Sequence, residues 1–163
     1  MAYAVPLFAF MEEHAFGDAD AFLDLFEGGF LLIRHDGGEA KVLFLPEFAH
    51  FKLSVGSDRE CALRYPGLEP EHLQLSYHQG FKSFVVEVPR ADSEIPVQIN
   101  EQVPDPSRVN LLEDKSVIRL GAEGEWVGQF FLAEAFWNQI LLKFRGSKPR
   151  TTSVFRRISE LED

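Results

Sequence analysis

The chain has 163 residues, 45% hydrophobic and 26% charged, enough for one domain with a real core. A formal charge of −10 argues against nucleic acid as a ligand for the domain as a whole. No run reaches the ~20 apolar residues of a membrane span, and a single cysteine, Cys61, allows no internal disulfide.

Residues 1–17 are apolar and aromatic (Tyr3, Val5, Leu7, Phe8, Phe10, Phe16) and read as an extra strand or a segment lying across the domain. The start lacks a basic region and a long apolar run, so no signal peptide is expected and a cytoplasmic protein is. Asp18-Ala19-Asp20 opens a short helix, because either carboxylate accepts from free backbone N–H groups. Ala21, Phe22, Leu25 and Phe26 form its apolar stripe, and Gly28-Gly29 ends it.

Strand-like runs follow, alternating apolar and polar residues with the period of two that puts one face in a core. Phe30–Arg34 and Lys41–Leu45 are joined by His35-Asp36-Gly37-Gly38, a hairpin signal. Pro46 to Ala49 breaks the pattern. Phe51–Val55, Cys61–Tyr65, Leu73–Tyr77 and Phe81–Val88 come next, then a polar loop from Pro89 to Pro96. Val97–Val103, Arg108–Leu112, Ser116–Leu120 and Trp126–Leu132 complete the set, with Gly121–Glu125 as a loop. Turn residues at intervals of about 8–12 residues are the spacing of an all-β sandwich or barrel. After Leu132 the period changes. Leu132, Phe136, Ile140 and Phe144, with Ala133, Trp137 and Leu141, follow the spacing of an amphipathic helix that packs on the sandwich. Beyond Gly146 the tail is polar and basic. The expected organisation is an acidic, aromatic extension at 1–29, a sandwich at 30–132, and a helix with basic tail at 133–163.

Charge is unevenly placed. The first 33 residues hold six acids and no Lys or Arg, whereas residues 143–157 hold six cations and no acid. The two ends are solvated separately or pair, within one molecule or in a homodimer. The 16 Phe residues predict a Phe-rich core, with some rings on a surface that meets a partner.

Gly56, the run Gly67-Leu68-Glu69-Pro70-Glu71-His72, Val97-Gln98-Ile99-Asn100 and the closing Leu112–Gly121 together resemble a forkhead-associated (FHA) domain over roughly residues 30–132. The resemblance implies an 11-stranded β-sandwich of the SMAD/FHA type whose loops at one end bind phosphothreonine. It also implies an Arg after the glycine to fork the phosphate, a Ser three residues before the His, and a later Asn-Gly pair holding the peptide backbone. Here Ser57 follows Gly56, Glu69 stands in the Ser position with a carboxylate that repels phosphate, and Ile95-Pro96 aligns with Asn-Gly, where Pro offers no donor. His72 remains; in the family it braces the loops. Arg59 lies two residues past Ser57 as a displaced phosphate ligand, with Arg64 and Lys82 in the vicinity.

Other chemistry lacks its signatures. The five His (His14, His35, His50, His72, His78) form no close pair, and a lone Cys gives no zinc pattern, so no metal or cofactor is expected. Cys61 reads as a small buried strand residue, or alternatively as a reactive thiol. Asp18, Asp20 and Asp24 lack EF-hand spacing. Neither a phosphate-binding glycine motif nor a nucleophile elbow is present. Thr151, Thr152 and Ser153 sit among basic residues that suit a basophilic kinase, and a phosphorylated tail would be a ligand for another FHA domain.

The sequence thus predicts an all-β, FHA-like sandwich with a short N-terminal helix and a C-terminal amphipathic helix. The expected function is a non-catalytic module that holds a partner protein independently of phosphate, as a scaffold or regulatory subunit. Its expected site residues are Ser57, Arg59, Glu69, His72 and Asn100. The contact is expected at exposed Phe residues or a free strand edge. The alternatives are phosphothreonine binding through Arg59, and a small enzyme.

Overall fold

The computed structural model describes residues 4–89, 95–104, 109–121 and 123–147. Among the described residues, eleven strands form two sheets, with helices before β2 and after β11. The first sheet has six strands in the order β1 (Val5–Pro6), β3 (Lys41–Pro46), β2 (Gly28–His35), β11 (Trp126–Leu132), β10 (Val117–Leu120) and β8 (Val97–Ile99). The second runs β5 (Leu63–Arg64), β4 (Lys52–Gly56), β6 (Leu73–His78), β7 (Ser83–Glu87) and β9 (Asn110–Leu111). All neighbours pair antiparallel except β4 and β5. This is the predicted β-sandwich.

The β2–β3 hairpin forms where Asp-Gly placed it. Asp36 and Gly37 have φ of 54° and 69°, the left-handed pair that a type I′ turn needs. Period two then sorts the side chains. Leu31 and Ile33 on β2, Leu43 and Leu45 on β3, and Trp126 and Phe130 on β11 face inward. They meet Leu53, Val55, Leu73, Leu75, Phe84 and Val86 from the second sheet and make the sandwich core.

The opposite face of the six-stranded sheet is also buried. Phe30, Val42 and Phe131 are covered by α1 (Leu7–His14), α2 (Ala19–Leu25) and a C-terminal helix. That helix is α3 (Ala133–Phe136), a π-helical turn over Trp137–Leu141, and α4 (Leu142–Ser147). Eight of the 16 Phe residues are used here. Phe30 stacks on Phe136 at 4.5 Å and meets Phe10, Phe22, Phe26 and Phe44 at 5.3–5.7 Å between ring centroids. The helices at 7–25 and 133–147 therefore pack on one sheet face.

In residues 4–17 the structure holds both an extra strand, two residues long and paired with β3, and a segment across the sheet, which is an eight-residue helix because Phe10, Leu7 and Met11 at helical spacing find a sheet face to cover. Three expectations are corrected. In α2, capped by Asp18 Oδ2 accepting from Ala21 N (3.1 Å), Leu25 is 65% exposed, and Ala19, Phe22, Leu23 and Phe26 face the core. Cys61 lies in a loop before the short β5, half-buried, its thiol donating to Pro70 O (3.1 Å). Finally, Val97–Val103 is a strand only to Ile99, since Asn100 and Glu101 turn with φ of 53° and 68°. Arg108 and the Thr151–Ser153 group lie outside the described residues. No described helix is long and apolar enough to cross a membrane.

Candidate functional site: the loop end around His72

One end of the sandwich gathers the turns after β2 and β4, the loop before β6, the approach to β8 and the β10–β11 turn. His72 is its hub. The side chain is 1% exposed, yet polar, so burial requires partners for both ring nitrogens. Nδ1 accepts from Glu69 N (3.2 Å), and Nε2 lies 3.3 Å from Ile95 O. That pairing demands the neutral ring with its proton on Nε2. Burial holds the His72 pKa below the ordinary value, outweighing the Ile95 carbonyl and the Glu69 charge, which push the other way.

The sign of the pH effect follows. Below the unfolded pKa of about 6.5, the unfolded chain takes up a proton that the native ring resists, so stability falls with falling pH. Urea midpoints are expected to drop between pH 7.5 and 5.5 in the wild type, with a shallower pH slope in His72→Gln. Equal slopes would show that His72 does not carry the effect.

Gly56 ends β4 against the same loop. Ser57 N donates to Glu69 O (2.9 Å), Asp58 N to Pro70 O (3.1 Å) and His72 N to Val55 O (2.8 Å). Tyr65 N donates to Gly56 O (2.9 Å), and Arg64 Nε to Ser57 O (3.1 Å). The backbone donors flanking Ser57 are thus already engaged. Arg59 is exposed on this loop between Asp58 and Glu60, and the Asp58 carboxylate accepts from Glu60 N (3.0 Å). Across the same end lies a cleft of about 340 Å³ lined in part by His35, Asp36, Leu68, Ile95, Pro96 and Glu125. Asp36 N donates to Glu125 O (2.7 Å) and Gly121 N to Pro96 O (3.0 Å), which fixes its rim. Tyr65 packs on His35 at 4.7 Å. Acids outnumber cations here among the described residues, so the local field disfavours an anion.

The fold therefore brings Ser57, Arg59, Glu69 and His72 to one end, but not Asn100. That residue lies past the far end of β8. There its Oδ1 accepts from Val117 N (2.8 Å) and its Nδ2 donates to Ser116 Oγ (3.3 Å). It ties β8 to β10 at the opposite end of the sandwich. Sequence reasoning missed the cleft, which only the pairing of β2 with β11 assembles, and the bond from Arg64 to Ser57. Lys82 lies in the β6–β7 turn, also at the far end.

An eleven-stranded sandwich of this order, with its loops braced by a buried His, is an FHA-like fold. No protein-family model and no curated protein matches the sequence. Solved structures share the fold. The FHA domain of the CT664 protein from Chlamydia trachomatis superposes with a TM-score of 0.52 at 14% identity, over 64% of this chain and 97% of that one. The yeast Pml1 splicing factor gives 0.53 at 16%, covering 71% and 91%. The MEK1 FHA domain gives 0.50 at 18%, covering 64% and 88%.

Proposed function

We propose that this chain is a non-catalytic protein-interaction module that engages a partner segment at the His72 loop end without reading phosphate, in a scaffold or regulatory role. The observation that carries this reading is the state of the Gly56 corner. Ser57 stands where an arginine would fork a phosphate, its amide is bonded to Glu69 O, and acidic side chains surround the loop. A phosphate bound there would face carboxylates without a fixed guanidinium to offset them. The cleft beside it is concave and rimmed by fixed backbone, the form in which a small number of partner side chains can be seated. Among the structural neighbours, Pml1 is described in its integration into the RES complex, an assembly role that agrees with this one.

The test is calorimetric titration of the full chain with a phosphothreonine peptide library. No micromolar binding is expected. Micromolar binding abolished by Arg59→Ala would overturn the proposal and assign the displaced-arginine role instead.

A further inference from the structure

The cleft at the loop end combines apolar walls with acidic side chains. Pro66, Leu68 and Pro96 are among its walls, and Asp36 and Glu125 are its acids. Among the described residues, no Lys or Arg lines it. Arg119 has its Nη1 3.8 Å from where a Cβ on Gly124 would stand, which places it against the β10–β11 turn but not among the lining residues. At about 340 Å³ the cleft lies at the lower end of the ~300–1,000 Å³ range of ligand sites, a size for a side chain or two rather than for a cofactor.

The β10–β11 turn fixes the Glu125 carboxylate in place. Its Oε1 accepts from Glu123 N (2.8 Å). Gly121, with φ of 106°, leaves the space for it, since a Cβ there would overlap Glu125 Oε1. Backbone N–H groups of Glu123 and Glu125 hold the carboxyl below its ordinary value, so it is ionised at neutral pH. Asp36 sits on the β2–β3 hairpin, and its backbone N donates to Glu125 O (2.7 Å), so the two acids come from segments tied together. The Asp36 side chain is 65% exposed, with Oδ2 3.5 Å from His35 Nε2. An ionised carboxylate has about four acceptor sites, so both keep capacity for further donors.

We propose that the cleft seats an arginine side chain of the partner segment, its aliphatic stem against Pro66, Leu68 and Pro96 and its guanidinium on the Asp36 and Glu125 carboxylates. Charge complementarity selects a cation, and the chain's formal charge of −10 steers a basic segment toward it. The pairing of apolar wall and acidic rim selects a long side chain that buries its stem and keeps its charge at the surface. Arginine is favoured over lysine because its planar fork can meet a fixed carboxylate with two donors at once. A carboxylate held in position before binding also spares the cost of ordering it. This assignment rests on the loop-end reading and names the chemistry of the partner that reading invokes.

The test selects random unphosphorylated peptides, displayed on phage, against the full chain and maps the binders by amide shifts. An Arg at one fixed position of the peptide is expected, with shifts at Asp36, Leu68 and Gly121. Replacing that Arg by Lys, and separately Glu125→Gln in the protein, are each expected to weaken binding about tenfold. Gln keeps an acceptor for Glu123 N, so the variant is expected to fold, which an unaltered amide spectrum outside the turn verifies. Asp36→Asn, a residue that tolerates the left-handed φ of this turn, is the second variant, with the same expected loss. Binders that shift these amides but carry no fixed Arg, accept Lys equally, or bind both variants as tightly as the wild type overturn the assignment and leave the loop-end reading standing. Selection of no peptide, or shifts confined to another surface, overturns the loop-end reading itself and this assignment with it.

Discussion

Phe30→Ala is expected to lower the free energy of unfolding by about 3–5 kcal/mol, the range for deleting a large aromatic side chain from a packed core. Phe30 is fully buried, and its ring lies within 5.7 Å of five others contributed by α1, α2, β3 and the C-terminal helix. Those neighbours come from segments that precede and follow the sandwich strands as well as from β3, so the cavity cannot close by shifting one loop. Urea denaturation measures the loss, with Phe48→Ala as control. Phe48 is 67% exposed, and its replacement is expected to cost no more than about 0.5 kcal/mol. Similar values for the two would mean that the terminal helices do not seal the outer sheet face in solution.

Gly56→Ala is expected to cost about 2–3 kcal/mol. A Cβ at this position would overlap Pro70 O and stand 2.7 Å from Glu69 O, both of them backbone atoms that no side-chain rotation can move. Relief requires parting the loop that accepts from Ser57 N and Asp58 N, and each such bond contributes about 0.5–1.5 kcal/mol net. The same shift drags on His72, whose ring is tied to Glu69 N. Hydrogen exchange is expected to quicken at Ser57, Asp58 and His72 while the β2–β3 hairpin is unaffected. Exchange that rises evenly over the chain would show a global effect rather than an opened corner.

The strands of the sandwich were largely legible because one face of each is apolar and the turns carry Gly, Pro or Asp. Trp126–Leu132 is a strand over its whole predicted range, and the Asp36-Gly37 turn sits where the dipeptide placed it. The reading failed where tertiary contact overrides local pattern. Leu7, Phe10 and Met11 look like strand or coil in a 17-residue aromatic stretch, and they become a helix only because β2 and β3 offer Phe30, Val42 and Phe44 to cover. In the C-terminal helix, the four-residue spacing places Leu132 on the buried stripe, yet it is 46% exposed, since that residue still belongs to β11. The π-helical turn, with Leu142 N–H bonded to Trp137 O, has no mark in the sequence. At the loop end, Ser57, Glu69 and His72 were found by their order along the chain. Asn100 was grouped with them by the same order, but β8 carries it to the other end. Linear position identified the strand and not which of its termini the residue occupies.

The outermost strands of both sheets are short: β1, β5 and β9 have two residues each and β8 has three. A foreign peptide laid alongside any of them would find a ladder of only a few rungs, too little to hold it in register. Recruitment by lengthening a sheet is therefore disfavoured, and so is the runaway stacking of copies that long bare margins invite. Short margins of this kind leave few unpaired backbone rungs for edge-to-edge association of copies.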